Sequence, residues 1–125
     1  MKKGVLSRSN RSKDGMDKDL VLEAITFMEK RLRDCVIAIS KIILFGSQAR
    51  GDATRESDVD IAIISEDFHG RDIFERAELT KEAEIATVRK FMIPLDVVTL
   101  TPEEFESEVS IISAYIRDGE MVYSV

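Results

Sequence analysis

Two short apolar segments, the second of which begins with two aspartates, constrain the fold of this chain more than any other feature. Residues 41–45 (K-I-I-L-F) end at Gly46, and residues 58–64 (D-V-D-I-A-I-I) alternate polar and apolar at first and then become fully apolar. Short apolar runs that are bounded by glycine or polar residues predict strands. We therefore expect two strands that are joined by the polar segment between them.

Apolar residues at helical spacing predict helices before and after this pair of strands. The first helix covers residues 17–34, and its buried side is predicted to hold Val21, Ile25, Met28 and Leu32. The second covers residues 71–91, and its buried side is predicted to hold Phe74, Ala77, Ile85, Val88 and Met92. Residues 95–100 follow Pro94 and predict a third strand.

The segment T-P-E-E at Thr101 is a strong start signal for a last helix. Thr101 can cap the helix, the following proline suits its first position, and Glu104 can bond back to the cap. This helix is expected to stop at Gly119 and to bury Phe105, Val109, Ile112 and Ile116. The resulting order of elements indicates an α/β (α+β) domain, with a small mixed β-sheet flanked by helices.

Charge is distributed unevenly along the chain. Residues 1–16 carry five basic side chains against one acidic, a net charge of +4, which leaves −10 for residues 17–125 of a chain whose total is −6. We interpret residues 1–16 as a disordered tail and residues 17–125 as one folded domain. Such an acidic body argues against direct binding of nucleic acid. It suits binding of cations or of a basic partner, or it only keeps the protein soluble.

Membrane and secreted classes of protein find no support in the sequence. No apolar run approaches the ~20 residues that span a bilayer, and no apolar segment follows the N-terminal lysines as it would in a signal peptide. Cys35 is the single cysteine, so no internal disulfide can form. We therefore expect a cytoplasmic protein. His69 is the single histidine, which argues against a zinc site.

Asp58 and Asp60 stand two residues apart at the start of the second strand. Strand periodicity places both carboxylates on one face, while Val59 and Ile61 point toward the core. Carboxylates this close repel each other unless a cation neutralises them, and their hard oxygen atoms favour Mg²⁺ or Mn²⁺. The pair therefore predicts a divalent metal site.

The segment just before this pair offers groups that bind phosphate. Gly46 lets a ligand approach the backbone, and a helix that opens at Ser47 would direct free N–H groups toward an anion. Arg50 could pair with phosphate oxygens, or with Asp52 or Glu56 as an ordinary surface residue. A phosphate cradle beside a metal-binding acid pair is what metal-assisted nucleotidyl transfer requires.

Asp96 is the only charged residue in the predicted third strand (L-D-V-V-T-L). Two metal ions roughly 3.5–4 Å apart need more than two aspartates, so an acid on a neighbouring strand could complete the site. It could also act as general base toward an attacking hydroxyl. The alternative is an acid at a strand edge that faces solvent.

Residues 46–60 read G-S, ten residues, then D-x-D, and this spacing resembles the signature of the DNA polymerase β-like nucleotidyltransferase superfamily. The fuller string G-S-Q-A-R-G with S-D-V-D-I is similar to its minimal nucleotidyltransferase (MNT) branch, whose members are often paired with HEPN-type toxins. The resemblance covers residues 17–123, includes the later L-D-V-V segment, and shows no departure at the three acid positions.

This resemblance implies a polymerase β-like nucleotidyltransferase fold in which Gly46 and Ser47 hold a nucleoside triphosphate. It implies two Mg²⁺ ions, or Mn²⁺, at Asp58 and Asp60, with Asp96 completing the site and activating the acceptor hydroxyl. In MNT antitoxins the donor is ATP and the acceptor is a tyrosine of the partner toxin. The chain is therefore expected to transfer AMP to a HEPN-type toxin, to act as its antitoxin and to form a hetero-oligomer with it.

Two other functions stay open at the level of sequence. The protein could neutralise a basic partner by binding it without any chemistry, which its acidic body would favour. It could also transfer a nucleotide to the hydroxyl of a small molecule, although such an acceptor normally needs a second lobe to form its pocket.

Overall fold

The computed structural model describes residues 17–51, 58–107 and 111–124. In these ranges a four-stranded mixed sheet is flanked by helices, which confirms the predicted fold class. The helices are α1 (Lys18–Asp34), α2 (Ser47–Arg50), α3 (Ile73–Phe91), α4 (Pro102–Glu106) and α5 (Ile111–Arg117). The strands are β1 (Ile39–Phe45), β2 (Val59–Ser65), β3 (Leu95–Leu100) and β4 (Glu120–Ser124). The predicted disordered tail, residues 1–16, lies outside the described residues.

The strand order in the sheet is β3-β2-β1-β4. β1 runs antiparallel to both β2 and β4, whereas β2 and β3 are parallel and are connected through α3. Asp60 of β2 lies opposite Asp96 on β3 and opposite Phe45 on β1. The starts of β2 and β3 and the end of β1 therefore meet at the same end of the sheet.

Each face of the sheet is covered by its own apolar cluster. On one face, α1 and α3 pack against fully buried side chains of β1 and β2 such as Leu44, Ile61 and Ile63. On the other face, Ile116 of α5 and Phe105 of α4 complete a second cluster. Burial on both faces explains why β1 and β2 are nearly continuous apolar runs. Each large side chain buried in this way stabilises the fold by about 1.5–3 kcal/mol.

α1 confirms the prediction of a first helix. It begins after Asp17, whose carboxylate accepts a hydrogen bond from the backbone N–H of Asp19 at 3.0 Å. The residues predicted to face the core are all buried: Val21, Ile25, Met28 and Leu32. Among the residues that the structure describes, no helix is long and apolar enough to cross a bilayer.

α3 begins at Ile73, two residues later than predicted, and it is rotated relative to the expected orientation. Its predicted buried side is wrong, because Phe74 and Met92 at the two ends of the apolar stripe are 78% and 80% exposed. The buried residues of α3 are instead small: Thr80, Ala83 and Thr87. Small side chains let the helix pack closely, and the apolar stripe lies on the surface.

The single helix predicted from Thr101 to Gly119 is divided in two. The predicted capping box forms, since Glu104 N donates to the Thr101 hydroxyl at 3.1 Å and the Glu104 carboxylate accepts from Thr101 N at 2.9 Å. α4 nevertheless ends at Glu106, because the backbone of Ser107 is extended. Of the residues predicted to be buried, Ile116 is buried and Phe105 half-buried, whereas Val109 and the side chain of Ile112 lie outside the described part.

β4 is a strand that the sequence pattern did not predict. It pairs antiparallel with β1, with Tyr123 opposite Ile42. Gly119 makes the turn from α5 into β4 and lies against β1. A Cβ atom added there would stand 2.5 Å from the Leu44 carbonyl oxygen and 2.9 Å from the Phe45 Cβ.

This close approach predicts that Gly119→Ala destabilises the fold by about 1–3 kcal/mol, as overpacking of a filled site does. Urea unfolding followed by circular dichroism measures the change. Gly119→Val should be more destabilising still, because its larger side chain meets the same backbone. An alanine variant as stable as the wild type would contradict the packing of Gly119 on β1.

Candidate active site

The structure brings together the aspartates that the sequence singled out. Asp60 is half-buried in β2, and its register partner on the parallel neighbour β3 is Asp96. Asp58 is exposed and lies just before β2 rather than within it, since the strand begins at Val59. Val59 and Ile61 are fully buried, as predicted. Asp60 and Asp96 therefore share one face of the sheet. Asp58 lies one residue before the start of β2, at the same end of the sheet.

The electrostatics of Asp60 show how close these carboxylates are. Burial raises the pKa of Asp60 above its ordinary value of 3.8, and the negative charges of Asp96 and Asp58 raise it further. A hydrogen bond with the Asp96 side chain acts in the same direction, while the positive charge of Arg50 opposes these effects. The charges of two neighbouring carboxylates and one guanidinium group therefore all affect the Asp60 carboxylate at the end of the sheet.

Gly46 is required at this point because the Asp60 side chain lies against it. A Cβ atom built on Gly46 would overlap the Asp60 carboxylate. The backbone of Gly46 also has a φ of +74° and a ψ of −149°, a conformation that essentially only glycine adopts. The glycine thus lets the end of β1 pass directly beside the acidic cluster.

Ser47 begins a helix, as the sequence suggested, but α2 is only four residues long. One turn of helix carries little macrodipole. The groups available to a phosphate at this point are the local backbone and the half-buried Ser47. Any anion held there depends on individual N–H and hydroxyl groups.

Arg50 contacts a residue that the sequence analysis did not assign. Its guanidinium donates a hydrogen bond to the Tyr115 hydroxyl at 2.8 Å. The Tyr115 ring packs edge-to-face on Phe45, with centroids 5.7 Å apart. Asp52 and Glu56, the alternative partners considered for Arg50, lie outside the described residues. Tyr115 therefore orients a cation that acts on Asp60, and no sequence spacing connects residues so far apart.

Glu84 of α3 is a second residue that the sequence gave no reason to select. It is half-buried, and its carboxylate accepts a hydrogen bond from the Thr80 hydroxyl at 2.7 Å. Burial raises the pKa of Glu84, and the charge of Asp96 adds to this effect. Glu84 therefore lies within electrostatic reach of the acidic cluster, on the side of β3.

A separate group of possible metal ligands lies elsewhere. Ligand atoms of Glu66, His69 and Glu103 are within 4.8 Å of one another, and His69 Nε2 lies 3.0 Å from a Glu103 carboxylate oxygen. All three side chains are exposed. Glu66 follows the end of β2, whose seven residues span about 20 Å, whereas Asp58 lies just before its start. This group is therefore distinct from the acidic cluster.

The carboxylates of Asp58, Asp60 and Asp96 have the chemistry of a divalent-cation site, although their oxygen atoms do not all lie within 4.8 Å of one another as the ligand atoms of Glu66, His69 and Glu103 do. The donors at the three aspartates are carboxylate oxygens, which hard cations such as Mg²⁺ and Mn²⁺ prefer. Burial and, after it, the negative charges of Asp96 and Asp58 raise the pKa of Asp60, so the ionised carboxylate is disfavoured at this position. A bound cation would offset these negative charges.

The fold and the cluster agree with a comparison against protein families. The family described as "Nucleotidyltransferase domain" matches residues 16–118, which is most of the chain. The chain therefore belongs to this family and is a nucleotidyltransferase.

Among known proteins, a relative from Methanocaldococcus jannaschii is 68% identical to this chain over 28 residues. It bears the name "Putative protein adenylyltransferase". The matched stretch covers 22% of this chain and 28% of that protein. The likeness is thus high but confined to a short segment, well under two thirds of the relative's length.

Solved structures share the fold at low sequence identity. A protein described as a "putative nucleotidyltransferase" from Sulfolobus solfataricus is 18% identical, with a TM-score of 0.57 over 95% of this chain and 86% of that one. A toxin–antitoxin structure with AMP-PNP gives a TM-score of 0.56 at 21% identity, over 88% of this chain and 75% of that one. A mutant of the toxin–antitoxin pair MntA–HpeT gives 0.53 at 18% identity, with the same two coverages. These likenesses establish the fold alone.

Repulsion within the cluster predicts that Asp60→Asn stabilises the protein at neutral pH in buffer that contains EDTA. Because the pKa of Asp60 is raised in the folded state, the wild type loses stability relative to the variant as pH rises above about 3.8. Below that pH the two proteins should have similar Tm values. Thermal unfolding between pH 3 and pH 8 measures the difference.

The matched control is Asp34→Asn, at the exposed end of α1 near the opposite end of the sheet. This variant should show no difference that grows with pH. An Asp60→Asn protein that is less stable than the wild type at pH 7 without metal would contradict the repulsive cluster.

Proposed function

We propose that this protein is a divalent-metal-dependent adenylyltransferase that moves AMP from ATP to a hydroxyl group of a partner protein. The observation that carries the proposal is the register of β2 and β3, which sets Asp60 beside Asp96 with Asp58 adjacent. Gly46 and Ser47 lie at the same end of the sheet, against Asp60. The residues that we propose as metal ligands, base and phosphate cradle thus lie next to one another, as nucleotidyl transfer requires.

Each residue has a distinct task in this scheme. Asp58 and Asp60 would hold Mg²⁺, with Mn²⁺ as a substitute, and the bound cation would neutralise the triphosphate and polarise the reacting oxygens. The backbone at Gly46 and the Ser47 hydroxyl bind phosphate oxygens, and Arg50 adds positive charge, oriented by Tyr115. Asp96 accepts the proton of the acceptor hydroxyl. The acceptor oxygen then bonds to the α-phosphorus. The bond between the α-phosphorus and the oxygen that bridges it to the β-phosphorus breaks, and pyrophosphate leaves with that oxygen.

The proposed partner is a HEPN-type toxin, with one of its tyrosines as the acceptor. Support comes from the name of the M. jannaschii relative, which specifies a protein adenylyltransferase, and from the fold shared with toxin–antitoxin structures. The net charge of −10 on residues 17–125 would attract a basic partner. The chain would then act as an antitoxin in a cytoplasmic hetero-oligomer.

Loss of a metal ligand should abolish transfer of AMP. We expect Asp58→Ala and Asp60→Ala each to reduce labelling of a co-purified partner by more than about 100-fold, since altering even the residues that support a metal ligand reduces activity about 10–100-fold. The measurement is transfer of label from α-³²P-ATP in the presence of MgCl₂. Addition of EDTA should have the same effect on the wild type.

Asp34→Asn again serves as the control, because it removes an exposed carboxylate far from the cluster. It should label the partner at the rate of the wild type. Equal labelling by the Asp60→Ala protein would rule out the proposed chemistry.

Neutralisation by binding alone is the competing function, and the acidic surface is the observation that favours it. The two functions differ in what Asp58→Ala does in cells that express the partner. If catalysis protects the cells, the variant still co-purifies with the partner and protection is lost. If binding protects them, the variant protects as well as the wild type.

A further inference from the structure

A cavity of about 410 Å³ opens between α3 and β3. Among the described residues, β3 is at the edge of the sheet and has a strand neighbour only on the side of β2. The volume lies within the range of about 300–1,000 Å³ that is usual for ligand pockets. The cavity therefore has the size of a binding site and lies directly beside the strand that carries Asp96.

The cavity walls combine apolar side chains with charged and polar ones. Val97 packs with the cluster on one face of the sheet and Val98 with the cluster on the other, and both line the cavity. The space therefore reaches around the edge of β3 to both faces. Ala77, the Glu84 carboxylate and its Thr80 partner line the α3 side, and a second carboxylate, that of Glu104, lines the cavity in its ion pair with Arg76.

The cavity adjoins the acidic cluster along β3, although Asp96 itself does not line it. Asp96 immediately precedes Val97 on β3, and its charge acts on Glu84. Across the sheet, the order is Gly46 on the side of β1, Asp60 on β2, Asp96 on β3 and then the cavity. The phosphate cradle and the cavity thus lie on opposite sides of the acids.

In-line transfer requires this kind of arrangement. The attacking and leaving oxygens of a phosphoryl group lie on opposite sides of the phosphorus. If the triphosphate occupies the cradle near Gly46, the acceptor approaches from the side of Asp96. The open edge of β3 is the side from which it can do so.

The charges of the cavity argue against a second phosphate site. Its Arg76 guanidinium is engaged by both carboxylate oxygens of Glu104, at 2.7 and 3.0 Å, and by the Thr99 carbonyl oxygen at 3.2 Å. Arg71 donates its Nε–H to the carbonyl oxygen of Asp67 at 3.0 Å. The Glu84 carboxylate would repel an anion. The cavity suits a neutral group with an apolar body and a hydroxyl that can donate a hydrogen bond.

We propose that this cavity is the acceptor subsite, in which the side chain of a partner's aromatic alcohol lies between Ala77 and Val97 with its hydroxyl toward Glu84 and Asp96. This inference rests on the proposed adenylyl transfer. An exposed apolar side chain at the cavity favours an acceptor that is part of a protein, because Ile73 lines the cavity and is 72% exposed. Exposed apolar groups beside a pocket are typical of protein contact sites.

Binding of a minimal acceptor tests the subsite directly. The probe is N-acetyltyrosinamide, added to the full chain with MgCl₂ and a non-hydrolysable ATP analogue and followed by methyl NMR. Saturable shifts are expected at the methyl groups of Val97 and Val98. Ala77→Phe fills the cavity from an exposed position, so it should weaken probe binding at least 10-fold while the ATP analogue binds as before.

The matched control is Ala86→Phe, the same change on α3 but in a different groove, between Arg31 and Lys90. It should leave probe binding unchanged, and the Tm of both variants shows that they are folded. Probe shifts that avoid β3, or an Ala77→Phe protein that binds the probe like the wild type, would overturn the subsite.

If the protein has the subsite but does not transfer AMP, the result differs from the one that overturns the subsite. In that case the wild type binds the probe at Val97 and Val98 but transfers no AMP to the partner, which supports the subsite and rejects the chemistry. Transfer by Ala77→Phe with an unchanged KM for the partner would instead retain the chemistry and overturn the subsite.

Discussion

The main physical constraint on this structure is a half-buried carboxylate, Asp60, at the end of the sheet beside Asp96 and Asp58. Burial and the neighbouring negative charges both disfavour the ionised form of Asp60, so the strands must be held together by other interactions. Those interactions are the burial of β2 on both faces and its pairing with β1 and β3. The central strand is therefore fully apolar along most of its length and acidic where it begins.

The close packing at this end of the sheet requires glycine at two positions of the sequence. Gly46 must lack a side chain because the Asp60 carboxylate occupies that space, and Gly119 must lack one because the Leu44 carbonyl lies against it. Both glycines lie beside the last residues of β1. The end of β1 is thus approached from two directions, by the acidic cluster and by the turn into β4.

Residue spacing within a short window predicted the strands and helices whose burial follows that spacing. The strand of residues 59–65 and the helix of residues 18–34 follow from alternation and helical spacing alone. The buried face of α3 did not follow, because Thr80, Ala83 and Thr87 are buried by their small size rather than their hydrophobicity. β4 was missed because its five residues gain stability from pairing with β1, which no short window contains.

The candidate site shows the same division. Asp58, Asp60 and Gly46 could be selected from spacing, and Asp96 from being a lone charge in an apolar strand. Tyr115 and Glu84 could not, because their proximity to the cluster depends on how α5 and α3 pack on the sheet. The structure also gives the site a direction, with Gly46 and Ser47 on the β1 side and β3, the edge strand among the described residues, on the other.

The central claim is that the three aspartates form a metal-dependent nucleotide site. Its most direct test is anomalous diffraction from crystals grown with MnCl₂ and a non-hydrolysable ATP analogue. The account predicts Mn²⁺ peaks in contact with carboxylate oxygens of Asp58 and Asp60, with the triphosphate beside Gly46. A peak at Glu66, His69 and Glu103 with none at the aspartates would contradict it.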